Sequence, residues 1–170
     1  LAGTSRGTLY DKQVYFLVIK NTQRGITGIG ECTTIPSLSP DDRPDYKENV
    51  QAVCDAINEG HSFETIYQNL DYFPSIRFGL ETAIKDLENG GQRMIYDTPF
   101  AYGQRSIKIN GLIWMNDFET MLAQIREKVS QGFECIKLKI GAIDWQKELE
   151  LLAHIRANYA PEQVEIRVDA

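Results

Sequence analysis

The chain has 170 residues, 42% of them hydrophobic, and a formal net charge of −6. That is enough apolar content for a packed core, and too acidic a balance for a nucleic-acid or anionic-membrane partner, both of which select basic surfaces. A small-molecule partner fits better. Cys32, Cys54 and Cys135 are odd in number and form no CxxC, so neither a disulfide framework nor a zinc cluster is indicated, and a reducing compartment is expected. The longest unbroken apolar stretch, residues 14–19, is too short to span a bilayer, and no basic leader with a hydrophobic stretch opens the chain. The reading is cytoplasmic.

In chain order, residues 13–20 are rich in Val, Tyr, Phe and Ile, residues 21–25 supply turn types, and residues 26–31 resume the strand pattern, which predicts an antiparallel hairpin. A Pro- and Ser-containing loop follows over residues 33–44. Tyr46, Val50, Val53 and Ile57 then fall at helical spacing up to Gly60. A short amphipathic piece covers residues 63–70. Ser75 precedes a second stripe of Ile76, Leu80, Ala83, Ile84 and Leu87, ended by Gly90 and Gly91.

Beyond the loop at residues 99–104 the pattern changes. Residues 106–114 read as a strand, and Asn116 with Glu119 reads as a capping box opening a helix with the stripe Phe118, Leu122, Ile125 and Val129. Gly132 ends it. A strand is predicted over residues 133–140, then a helix capped by Asp144 with Trp145, Leu149, Leu152 and Ile155 inward, then a strand over residues 164–169. Strand, helix, strand, helix, strand is the order of a parallel sheet with crossover helices, open or closed into a barrel. The expected domains are residues 1–100, with helices on an antiparallel sheet, and residues 106–170.

Lys137 and Lys139 alternate with Ile136, Leu138 and Ile140, so on a strand both lysines share one face. Glu165, Arg167 and Asp169 do the same in the last run. Thirty residues separate Lys139 from Asp169, room for one crossover unit that would set the two strand ends side by side. Buried parallel strands normally read as continuous apolar runs, so this much charge is unusual. Cationic bases beside a carboxylate able to hold a divalent metal suit the removal of a proton next to a carboxylate group. On the bare pattern the lysines could equally form the solvent side of an edge strand, and Asp169 could cap a following helix. Gly28 and Gly30 are no dinucleotide site, since a third glycine and a following helix are lacking; strand geometry or close packing is expected of them. Glu31 could face a site or solvent, and His61 and His154 have no matched partner.

The chain resembles the enolase superfamily, in its muconate-lactonizing subgroup. The resemblance is carried by Gly28-Ile29-Gly30-Glu31, Ile35-Pro36 with Ser39-Pro40, Arg77-Phe78-Gly79-Leu80-Glu81, Ile109-Asn110-Gly111-Leu112-Ile113, Ile136-Lys137-Leu138-Lys139 and Arg167-Val168-Asp169-Ala170, in family order. Ser5-Arg6-Gly7 and Asn110-Gly111-Leu112-Ile113 make it most similar to the o-succinylbenzoate synthases, although dipeptide epimerases share much of the pattern. The resemblance implies an α+β capping domain followed by the first three strands of a (β/α)8-type barrel, incomplete in this chain. It implies a divalent metal, Mg2+ or another cation such as Mn2+, with Asp169 as its first ligand. It also implies Lys139 as the base taking the proton alpha to a carboxylate, and Lys137 as its electrostatic partner. Arg6 could meet a substrate carboxylate or be a surface arginine. A free lysine has a pKa of about 10.4, so a neutral base needs nearby positive charge or desolvation.

The implied activity is that of a lyase of menaquinone biosynthesis, a dehydratase forming o-succinylbenzoate. An epimerase or racemase of dipeptides or N-acyl amino acids would use the same groups, and a non-catalytic α/β binding module would use none. Two further metal ligands and a second lysine of the family fall beyond residue 170. The 170 residues are therefore expected to be the N-terminal part of a larger enzyme, weak in magnesium binding and inactive alone.

Overall fold

The computed structural model describes residues 2–4, 7–141 and 143–169. They divide into two compact units: Tyr10–Arg105, and the residues from Ser106 onward together with those of the first nine positions.

In the Tyr10–Arg105 unit, strands β3 (Val14–Asn21) and β4 (Ile26–Thr33) form the expected antiparallel hairpin, with Leu17 opposite Gly30 and Ile19 opposite Gly28. Helices α1 (Tyr46–Asn58), α2 (Phe63–Gln68) and α3 (Pro74–Glu88) follow. Alternation sends Leu17, Ile19 and Cys32 inward, where they meet Val50, Val53, Ile76, Leu80 and Ala83 in one core. The glycines are what let α3 lie directly on β4. A Cβ on Gly28 would collide with the carbonyl of Ala83, one on Gly30 with that of Gly79, and one on Gly79 with the Cys32 sulfur. The glycine pattern of both segments is thus a backbone-to-backbone contact. Burial pushes the Cys32 thiol up to about 12, so it acts as a small apolar residue.

Two buried carboxylates brace this unit. Asp41 accepts from the N–H and the hydroxyl of Ser75, which caps α3 from a distance. The helix starts at Pro74 after Phe73, so Ser75 lies inside its first turn instead of before it. Asp86, 0% exposed, accepts from the N–H of Ile29 at 3.0 Å, the N–H of Arg93 at 2.6 Å and the Arg93 guanidinium. It joins α3, β4 and the turn after the helix.

The second unit holds a hairpin of β1 (Ala2–Thr4) and β2 (Gly7–Leu9), which sequence reading missed. Its main part is a parallel sheet of β5 (Gly111–Ile113), β6 (Cys135–Lys139) and β7 (Glu165–Asp169) in that order, linked by α4 (Phe118–Ser130) and α5 (Trp145–Asn158). Ile113, Ile136 and Leu138 face Met121, Leu122, Ile125, Leu151 and Ile155 from the helices. β5 is shorter than residues 106–114. Its ladder begins at Gly111 opposite Ile136, and in this register residues 106–109 fall opposite the turn leaving α4, before β6 starts, so they have no part of β6 to pair with.

Two other expectations are corrected. The cap of α4 is Asp117, which accepts from the N–H and hydroxyl of Thr120; Asn116 bonds the N–H of Asp117 instead. Asp144 does cap α5, accepting from Gln146. The inward stripe of that helix, however, is Glu148, Leu151 and Ile155, while Trp145 and Leu149 are 58% and 37% exposed. Among the described residues no helix is long and apolar enough to cross a membrane.

Burial alone would raise the pKa of Asp86, but the N–H groups of Ile29 and Arg93 and the Arg93 guanidinium outweigh it and hold the carboxyl below its usual range. A carboxyl depressed in the folded state contributes stability that is present above its unfolded pKa, about 4, and is lost as the pH falls through the lower folded value. Asp86→Ala is expected to cost on the order of 3 kcal/mol at neutral pH. In urea unfolding measured from pH 7 down to pH 2, that penalty should shrink below about pH 4.

Candidate active site

The parallel ladder of β6 and β7 pairs Lys137 with Arg167 and Lys139 with Asp169. Ile136 and Leu138 are fully buried toward the helices, so alternation turns Cys135, Lys137 and Lys139 to the opposite face of the sheet. Lys139 and Asp169 are the last residues of their strands, which places them at the C-terminal rim. Lys137 reaches diagonally to the same carboxylate. Its Nζ lies 3.0 Å from Asp169 Oδ2, and the Lys139 Nζ lies 3.7 Å from that oxygen. The structure therefore brings together all three residues that sequence reading singled out on these strands.

These side chains are 36%, 30% and 40% exposed for Lys137, Lys139 and Asp169, so water screens them only in part. Lys137, first by its hydrogen bond and then by its charge, holds the Asp169 carboxyl below the ordinary range, and Lys139 adds to the effect. Two ammonium groups share one carboxylate, which leaves the rim with surplus positive charge among the described residues. Asp169 offers hard oxygen donors of the kind magnesium prefers. Among the described residues no group of three His, Cys, Asp or Glu gathers to complete a cation site.

A cavity of about 570 Å³ lies elsewhere. It opens at the N-terminal ends of the same strands between Lys108, Asn110, Phe133, Cys135, Glu165 and Arg167. There each cation has a carboxylate of its own: Lys108 pairs with Glu134, and Arg167 donates to Glu165 at 2.8 Å. Catalytic groups in parallel barrels gather at the other rim. Arg6, the remaining candidate, lies outside the described residues. One residue near the site was missed. Glu148 of α5, 3% exposed, accepts a hydrogen bond from the N–H of Gly141 just after β6. The available signal was an acid three residues before Leu151 and seven before Ile155, on the apolar stripe itself.

No protein-family model matches the sequence. The curated o-succinylbenzoate synthase of Desulfotalea psychrophila is 35% identical over 198 residues, covering 99% of this chain and 53% of the relative. The crystal structure of MenC from the same species superposes with a TM-score of 0.71 at 31% identity, over 94% of this chain and 51% of that one. The chain belongs to the enolase superfamily. An o-succinylbenzoate synthase of Thermosynechococcus elongatus, complexed with magnesium in its active site, has a TM-score of 0.71 at 22% identity, over 99% and 47% of the two chains. An L-Ala-D/L-Glu epimerase of Bacillus subtilis has a TM-score of 0.61 at 23% identity, over 98% and 48%. At those identities the last two show the fold alone.

The chain spans about half the length of the curated relative it matches. Seen as a superfamily member, it has an α+β part in Tyr10–Arg105, and its parallel sheet is the first three strands of a (β/α)8-type barrel that is incomplete here.

The unequal lysine distances set an order of effects at Asp169. Followed by carbon-detected NMR titration, its carboxyl should have a midpoint below about 4, the usual aspartate range. Lys137→Met should raise that midpoint more than Lys139→Met. Equal shifts, or none, would mean that the shared ion pair does not hold in solution.

Proposed function

We propose that the chain is the N-terminal part of a metal-dependent lyase that forms o-succinylbenzoate. In this reading it removes a proton alpha to a carboxylate of a succinyl-hydroxycyclohexadiene carboxylate, and water then departs. The observation that carries the reading is the meeting of Lys137 and Lys139 at Asp169 on the C-terminal rim. The 35% identity to a curated o-succinylbenzoate synthase supports the choice of reaction.

Each residue then has one task. Lys139, at the strand end, takes the alpha proton and returns it to the departing hydroxyl; a positioned base of this kind contributes about 10²- to 10⁴-fold. Lys137, one turn of the pleat deeper on the same face, holds its charge against the substrate carboxylate and the negative charge that builds there. Asp169 would be one ligand of magnesium or a similar divalent cation, with the other ligands from outside the described residues. Bound there, the cation supplies Lewis-acid stabilisation of the developing charge. Arg6, from the N-terminal segment, would meet a second carboxylate of the substrate. The partner is a small carboxylate in the cytoplasm, with no role for nucleic acid or membrane.

A second reading keeps the base and changes the outcome to epimerisation of dipeptides or N-acyl amino acids. The lysine pair at Asp169 would serve either outcome. Product analysis separates the two: loss of water from the cyclohexadiene substrate marks the lyase, and inversion at the alpha carbon of an N-acyl amino acid marks the epimerase.

In the natural full-length protein, Lys139→Ala should lower solvent deuterium exchange at the substrate alpha carbon by at least about 10²-fold with magnesium affinity nearly unchanged. Asp169→Asn should weaken magnesium in a calorimetric titration. Exchange at the wild-type rate in Lys139→Ala would exclude that lysine as the base.

A further inference from the structure

Lys139 closes β6, so whatever fixes the chain just beyond it fixes where its side chain aims. Two bonds do so. The N–H of Ile140 donates to the carbonyl of Asp169 at 2.9 Å, which carries the ladder one residue past the strand. The N–H of Gly141 donates to Glu148 Oε1 at 2.7 Å. Gly141 has φ +95°, a conformation open to glycine and strained for other residues, so the chain leaves the sheet at this point. Glu148 stands in the first turn of α5, on the stripe of Leu151 and Ile155, which pack with Leu138.

A buried carboxylate at such a place costs desolvation, and an apolar side chain would fill the same space without that cost. What the carboxylate adds is a charge-assisted acceptor for the Gly141 N–H, two residues after Lys139. Catalytic groups lose rate steeply when misplaced by an ångström, and supporting hydrogen bonds are what hold them. We infer that Glu148 is a positioning residue, whose carboxylate holds the Gly141 N–H, sets the exit of β6 and thereby aims Lys139. The inference rests on the reading of Lys139 as the base.

The test uses the natural full-length protein and two variants. Glu148→Met keeps the volume and removes the acceptor, and Glu148→Gln keeps an acceptor without the charge. Amide hydrogen exchange at Gly141 reads the bond without reference to activity. Glu148→Met should expose that amide and lower kcat about tenfold or more with KM within about twofold, the split expected of a misaimed base. Glu148→Gln should restore most of both. Where Glu148→Met does not fold, Glu148→Asp, one methylene short of Gly141, should show the same two losses. Unchanged Gly141 protection in Glu148→Met, protection lost with kcat intact, or a Glu148→Gln as impaired as Glu148→Met would each overturn the inference. Lys139→Ala is the control: if it keeps wild-type deuterium exchange, the base assignment falls and takes the catalytic half of the inference with it. If that control behaves as expected and Glu148→Met leaves kcat unchanged, the Glu148 inference alone is overturned.

Discussion

The arrangement at the rim depends on one five-residue parallel ladder. Because Cys135 to Lys139 pair in register with Glu165 to Asp169, the last residue of each strand comes out beside the other. A shift of one residue would turn Lys139 and Lys137 into the helical layer and send Ile136 and Leu138 to the charged face. The core forbids that shift, since Ile136 and Leu138 are held among Ile125, Leu151 and Ile155. Apolar packing on one side of the sheet thus fixes the polar geometry on the other. The lysines need no contact with the core to be placed by it.

The Tyr10–Arg105 unit solves a different problem, holding a helix against a hairpin with little side-chain thickness between them. Gly28, Gly30 and Gly79 let the backbones meet, but close approach alone supplies few atoms to pack. Asp86 adds directional bonds where packing is thin, linking the end of α3 to Ile29 on β4 and to Arg93 in the turn. Buried carboxylates are costly unless well satisfied, and this one has three donors. The same use of a buried acid recurs in the other unit, where Glu148 binds the N–H of Gly141.

Elements with strong periodicity were legible from the residues: the β3–β4 hairpin, α1, α4, β6 and β7. The shared face of the lysines and their meeting with Asp169 were legible as placement, from alternation and spacing. The bare pattern left an edge strand or a helix cap equally open, and the roles came from the family resemblance. What was not legible depended on tertiary partners. The shortness of β5 follows from where its neighbour begins, which residues 106–110 do not encode. The face of α5 was misread because a stripe search rewards Trp145 and Leu149 and penalises Glu148, whereas a backbone N–H waiting at Gly141 reverses the preference. The cap of α4 shows the same limit on a small scale: Asn116 and Asp117 are both good caps, and only the geometry selects Asp117.

Cavity size and electrostatics point to opposite ends of the sheet, and electrostatics is the better guide here. At the N-terminal ends, Arg167 is matched by Glu165 and Lys108 by Glu134, so the large cavity presents balanced charge to a ligand. At the C-terminal ends two lysines share one carboxylate, Asp169, among the described residues. In the proposed reaction, a carboxylate substrate at the second rim and the negative charge growing on it as its alpha proton leaves would be met by Lys137. A cation bound at Asp169 would add positive charge beside Lys137, so the two would favour the same charge development.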